Sequence, residues 1–162
     1  MTVPPLHFER TGGGYTLTAE IWLPRSRPEV FAFFADAGNL ETLTPVWLRF
    51  EILTPRPIGM QAGALIDYRL RVHGWPVRWQ TRIAEWEPPV RFVDEQLRGP
   101  YRLWRHEHTF EEAAGGTRVR DVVHYAVLGG AVVNALFVRP DLRKIFSYRQ
   151  KKLAERLDSN ET

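Results

Sequence analysis

Between Val46 and Leu128 apolar and polar residues alternate through six successive segments, and a period of two places every second side chain on one face of a strand. The segments are Val46 to Leu53, Gly63 to Val72, Val77 to Trp86, Val90 to Leu97, Arg102 to Phe110 and Thr117 to Leu128. His73-Gly74, Pro88-Pro89, Gly99-Pro100 and Gly115-Gly116 punctuate them as turns. Long strands joined by short turns make an antiparallel meander, and a sheet of that size twists and curls. Its concave face is apolar and must be covered. Only 131–157 is long enough to do so. There Val133, Leu136, Phe137, Leu142, Ile145, Phe146, Leu153 and Leu157 recur at helical spacing. Pro140 interrupts this run and predicts a kink or break, because proline lacks a backbone donor and crowds the preceding turn.

Tyr15 to Leu23 adds one more strand upstream. Ser26, Pro28 and Glu29 read as a helix start, Val30, Phe31, Phe33 and Phe34 as its apolar stripe, and Gly38 as its stop. Asn39 to Leu43 follows as a second short helix, ended by Thr44-Pro45. The glycine-rich leader 1–13 and the polar tail 158–162 read as flexible. The expectation is a single α+β domain over 1–162. A curved seven-stranded antiparallel sheet wraps a long C-terminal helix, with two short helices between strands 1 and 2.

Composition narrows the function classes. There is no cysteine, which removes disulfides, thiolate catalysis and thiolate metal sites. The net charge is only +3, and the arginines are scattered along strand faces rather than gathered into a patch, so no nucleic-acid partner is expected. No apolar run approaches the roughly 20 residues that span a bilayer, and the first residues lack the pattern of a secretory signal. The expectation is a cytoplasmic protein without stable membrane insertion. Six Trp, nine Phe and five Tyr are more large rings than a core of this size needs, which favours an aromatic-lined pocket.

Four segments carry a family resemblance: LPRSRPEVFAFFADAGNLETLTPVWLRF (23–50), TRIAEWEPPVRFVDEQLRGPYRLWRHEHTFE (81–111), GTRVRDVVHY (116–125) and RKIFSYRQKKLAERL (143–157). Together they resemble the START-like (SRPBCC) superfamily, which includes polyketide cyclase/dehydrase proteins, coenzyme-Q-binding proteins and the birch pollen allergen group. The resemblance implies the helix-grip fold and a small hydrophobic ligand. It carries no shared catalytic motif onto this chain, because the superfamily spans carriers, receptors and cyclases.

The chemistry concentrates in FVDEQLRGPYRLWRHEHTFE (92–111). With a turn centred on Gly99-Pro100, Gln96 lies opposite Trp104, Asp94 opposite His106, and Phe92 opposite His108. The next turn brings Asp121 beside His108. Two carboxylate–imidazole pairs are therefore expected inside an aromatic pocket: Asp94 with His106, and Asp121 with His108. A carboxylate fixes an imidazole's tautomer and prepares it for acid–base work, so these four are the candidate catalytic residues. The same pairing also satisfies buried polar groups without any chemistry. Phe33, Phe34, Tyr68, Trp79, Trp104 and Phe137 are the candidate walls, and Gln96 helps to orient a polar end. No metal and no cofactor is expected, since two imidazoles and a carboxylate lack a further strong ligand. Trp22 and Trp86 fall outside their strands' apolar stripes, which leaves a homodimer or a partner enzyme as alternatives. Arg149 reads as part of the solvated face of the last helix.

Overall fold

The computed structural model describes residues 3–158. Its strands are β1 (His7–Thr11), β2 (Gly14–Leu23), β3 (Glu51–Ile52), β4 (Leu65–Val72), β5 (Trp75–Glu87), β6 (Arg91–Arg98), β7 (Leu103–Ala113) and β8 (Gly116–Ala126). They form one antiparallel sheet in the order β1-β2-β8-β7-β6-β5-β4-β3. Helices α1 (Arg27–Ala35) and α2 (Asn39–Leu43) follow β2. After β8 come α3 (Gly130–Val133), a π-helical turn (Asn134–Val138) and α4 (Arg139–Leu157). This is the α+β helix-grip arrangement. Leu142, Phe146 and Leu153 of α4 are buried, as are Val30, Phe31 and Phe34 of α1.

The sheet has eight strands rather than seven, and the extra one lies in the supposedly flexible leader. Thr11 pairs with Gly14, which leaves Gly12-Gly13 as a two-residue hairpin turn, with Gly13 at φ +84° where a side chain would strain. The glycines close a hairpin instead of loosening a leader. Phe8 is held under the guanidinium groups of Arg139 and Arg143, 5.2 and 5.1 Å from its ring centre. Of the segments expected to be flexible, 1–2 and 159–162 lie outside the described residues.

The expected strand 46–53 opens instead as a 3₁₀ turn, Val46–Leu48, and only Glu51–Ile52 pairs with the sheet. Pro45 opens the turn and Arg49, at φ 45°, closes it. Leu48 is buried while Val46 faces water, so the alternation of this segment arises without a strand. A second correction concerns Trp86. The β5–β6 register shifts between Ile83 and Glu85, and a bulge there turns Trp86 inward onto Phe31 and Phe92 at 5.2 and 5.4 Å. Trp22 does sit on the outer face, where its indole N–H donates to the Ala113 carbonyl at 2.7 Å.

Pro140 does not break the final helix. It falls in the first turn of α4, where its missing donor costs nothing, and the π-helical turn just before it absorbs the change of register. At the other end of the fold, the Glu29 carboxylate accepts the Ser26 backbone N–H at 3.0 Å, fixing the start of α1 as expected.

Leu153 is fully buried among Ile21, Leu23, Val30 and Phe34 and docks α4 into the sheet. Leu153→Ala is expected to cost about 2–5 kcal/mol in denaturant unfolding, with an unchanged denaturant slope.

Candidate functional site

A cavity of about 360 Å³ lies between the concave face and α4. That is within the ~300–1,000 Å³ range of small-molecule sites. Its apolar wall includes Phe33 and Phe34 from α1, Ile66, Tyr68 and Leu70 from β4, Trp79 from β5, Trp104 from β7, and Leu142 and Phe146 from α4. The polar tips of this wall are spent on each other. The Tyr68 hydroxyl is 2.7 Å from Thr81 Oγ1, and the Trp79 indole N–H donates to the same oxygen at 3.0 Å. Burial, helped by the charge of Asp94, pushes the Tyr68 phenol up and keeps it neutral. Tyr68 and Trp79 stack at 5.9 Å, and Trp104 meets Trp79 edge-on at 5.4 Å.

Phe33, Phe34, Tyr68, Trp79 and Trp104 therefore lie where the sequence places them, around one hollow. Gln96 and Phe137 do not. Both ends of the Gln96 amide are used across the 97–100 turn, donating to Tyr101 O at 2.8 Å and accepting from Tyr101 N at 3.1 Å. It holds the hairpin and is not among the lining residues. Phe137 is 54% exposed and touches His73 instead of the cavity. The π-helical turn rotates the run, so that Val133 and Val138 face the hollow in its place. Asn134 turns inward as well, accepting the Tyr125 hydroxyl at 2.8 Å.

One wall of the cavity is polar. The strand registers place Asp94 opposite His106 and His108 opposite Asp121, as the turns imply. The hydrogen bonds run along the diagonals instead. His106 Nε2 is 2.9 Å from Asp121 Oδ1, and His108 Nε2 is 2.6 Å from Asp94 Oδ2. The two imidazoles stack on each other at 3.8 Å, and Phe92 extends the stack at 4.1 Å from His108. Rings two residues apart on one strand lie side by side, and their tilt carries each nitrogen past its direct neighbour to the next carboxylate. The expected two pairs are thus a single group of four. His108 Nδ1 also sits 2.8 Å from Asp121 Oδ1, close enough to feel its charge but off the hydrogen-bonding direction.

A fifth member comes from α4. Arg149 is buried, with Nε 3.6 Å from Asp121 Oδ2 and its guanidinium over the Phe34 ring at 5.2 Å. This corrects its expected place on the solvated face. The spacing explains the difference, since Leu142, Phe146, Arg149 and Leu153 follow one another at four, three and four residues and share the buried side. An arginine inside an apolar stripe was the available signal.

Burial alone would raise both carboxyls. In Asp121 the Arg149 charge and the imidazoles outweigh it and hold the group well below the usual carboxylate range, and in Asp94 the two histidines do the same more weakly. Burial also lowers both imidazoles. For His108 the two carboxylates overcome this and raise it, whereas His106, beside the charge of His108, stays lowered. The lowered carboxyls thus stay charged, with Arg149 and the raised His108 as the groups that balance them. Asp94, His106 and His108 also offer three ligand atoms within 4.8 Å of one another.

Removing Arg149 would leave Asp121 buried without its principal counter-charge. Arg149→Met, which keeps the volume, is expected to cost about 3–5 kcal/mol in chemical denaturation. A loss under about 1 kcal/mol would show that the imidazoles alone hold Asp121.

The same architecture recurs among solved structures. A protein from Thermus thermophilus aligns with a TM-score of 0.72 at 19% identity, over 91% of this chain and 99% of that one. The protein Ara h 8.0201 aligns with a TM-score of 0.65 at 15% identity, over 90% and 98%. A nucleoside-diphosphate sugar epimerase from Corynebacterium glutamicum contains a similar unit, with a TM-score of 0.63 at 24% identity, over 87% of this chain but 29% of that one. These likenesses establish the fold. No curated protein matches the sequence. No helix among the described residues is long and apolar enough to cross a membrane. The model of the family described as polyketide cyclase/dehydrase and lipid transport matches residues 23–147, from the end of β2 into α4, and the chain belongs to that family.

Proposed function

We propose that the protein binds one small, largely apolar molecule in this cavity, with the molecule's polar group set against Asp94, His106 and His108. A lipid, an isoprenoid, a quinone or a polyketide-like ring has that character. The supporting observation is the segregation of the wall. Aromatic and aliphatic side chains supply nearly all of it, while the charged and imidazole groups of the lining, Asp36 at the end of α1 apart, gather on β6, β7 and α4. An apolar ligand gains about 25 cal/mol per Å² buried, and a wall already shaped by stacked rings adds little ordering cost. A single polar group on the ligand then fixes its orientation.

The test uses 2-naphthol, a ring system with one hydroxyl, and follows the indole N–H signals of Trp79 and Trp104 by NMR. Saturable one-to-one shifts at both are expected. Leu70→Trp fills the cavity from β4 and is expected to weaken binding about tenfold or more while leaving the fold intact. Shifts spread over the outer face, or binding unaffected by Leu70→Trp, would remove the cavity as the site.

A second reading is favoured by one observation, the pair of stacked imidazoles facing the ligand space with a carboxylate on each. Such a pair can take a proton from one ligand atom and return it at another, as ring closure or dehydration of a ketide requires. Ring-forming ketide mimics would be converted by the unmodified protein and not by His106→Ala or His108→Ala. Turnover that persists in both variants would exclude these imidazoles as the acid and base.

A further inference from the structure

The two carboxylates of the polar group are not equivalent, and their difference goes beyond ligand binding. Asp121 stands behind both rings. Its Oδ1 is 2.9 Å from His106 Nε2 and 2.8 Å from His108 Nδ1, its side chain is 5% exposed, and it does not line the cavity. Asp94 stands in front. Its side chain is 18% exposed, it lines the cavity, and its Oδ2 faces the other nitrogen of each ring, 2.6 Å from His108 Nε2 and 3.9 Å from His106 Nδ1. One carboxylate therefore stands at the outer nitrogens, hydrogen-bonded to that of His106 and close to that of His108, and the two inner nitrogens face a carboxylate oxygen on the cavity side.

We propose that Asp94 Oδ2, His106 Nδ1 and His108 Nε2 form a binding site for a divalent transition-metal ion, with Asp121 as the outer carboxylate that orients both imidazoles. A histidine that ligates a metal donates its second ring N–H to a carboxylate or carbonyl, which fixes the tautomer and strengthens the ligand. Asp121 takes that position for His106 by a direct hydrogen bond and stands at the outer nitrogen of His108. Two imidazoles and one carboxylate suit zinc, iron, cobalt or nickel better than calcium or magnesium, which prefer oxygen. The ion draws the three atoms together from their present spread of 4.8 Å. Arg149 does not oppose it as a bare cation, because Asp121 Oδ2 neutralises it from behind. Three protein ligands leave a coordination position facing the apolar hollow, where an oxygen of the bound molecule or a water completes the shell.

Chelator-treated, untagged protein is titrated with cobalt(II), read by visible absorption and by calorimetry. One equivalent is expected to bind, zinc(II) is expected to displace it, and His106→Gln/His108→Gln is expected to lose about 100-fold or more in affinity with an unchanged circular dichroism spectrum. Asp121→Asn is expected to weaken binding about 10–100-fold and to shift the cobalt absorption bands, a change that mere loss of stability does not cause. If the double variant does not fold, Asp94→Asn replaces it, with the same loss expected. Absence of saturable one-to-one binding below about 1 mM overturns the proposal. So does affinity kept within about threefold in the substituted protein, which would place the ion at the exposed histidines. Uptake of 2-naphthol by the chelator-treated protein needs no metal, so the two tests fail separately.

Discussion

Everything around the cavity depends on the contact between Asp121 and Arg149. An isolated carboxylate that deep would become protonated, and an isolated guanidinium could not be accommodated there. Brought within 3.6 Å, they let β8 and α4 share one buried charge pair at the middle of the grip. The pair also sets the register of the helix on the sheet. Gln150, next in sequence, is buried too and donates to the Glu20 carbonyl on β2 at 3.1 Å. Leu153 packs one turn further on. Sliding α4 by one turn would leave Asp121 without its arginine and put an apolar side chain in its place. Hydrophobic burial favours the helix lying in the hollow, and the charge pair selects where along the hollow it lies.

The meander was legible because its turns are chemically marked. His73-Gly74, Gly99-Pro100 and the Ala114-Gly115 turn before Gly116 fix three of the hairpins between β4 and β8, and a fixed turn fixes the register of the strands it joins. The facing of Asp94 on His106, and of His108 on Asp121, follows from those turns alone. What the sequence hid are places where the chain leaves its ideal period. The bulge in β5 moves Trp86 to the inner face with no glycine or proline to mark it. The π-helical turn before Pro140 rotates Phe137 out and Asn134 in. The alternation of Val46 to Leu53 is that of a strand, yet Pro45 and the left-handed Arg49 bound a 3₁₀ turn over its first three residues. A one-residue change of period reverses which face is buried, so the bulge and the π-helical turn each misplaced a side chain, while the 3₁₀ turn cut an expected strand down to Glu51–Ile52.

The site shows the same division. Residue types and registers were readable, and bond partners were not, because Cα register fixes which residues are neighbours but not how side chains tilt. The stack of His106 on His108 lets each ring reach along the strand, and hydrogen bonds cross to the diagonal carboxylates. Two independent pairs would have been two local solutions to buried polarity. One joined group, with its fifth member arriving from α4, is a property of the assembled fold.

That joined group is hard to account for by stability. Buried ion pairs are commonly neutral or worse compared with apolar residues of the same volume, because desolvation cancels the attraction. The core beside the hollow shows what this chain does where only packing matters: Phe31 meets Phe92 and Phe110 edge-on at 6.0 and 5.2 Å, and Phe92 stacks with Phe110 at 6.1 Å, with no charge among them. Continuing that stack through positions 106 and 108 would give a simpler core. Two imidazoles instead carry it on, with one carboxylate behind them and another at the cavity surface. The arrangement is compensated on its buried side, and Asp94, bonded to His108, still reaches the cavity surface, which is the placement that the proposed binding of a polar group requires and that folding alone does not demand.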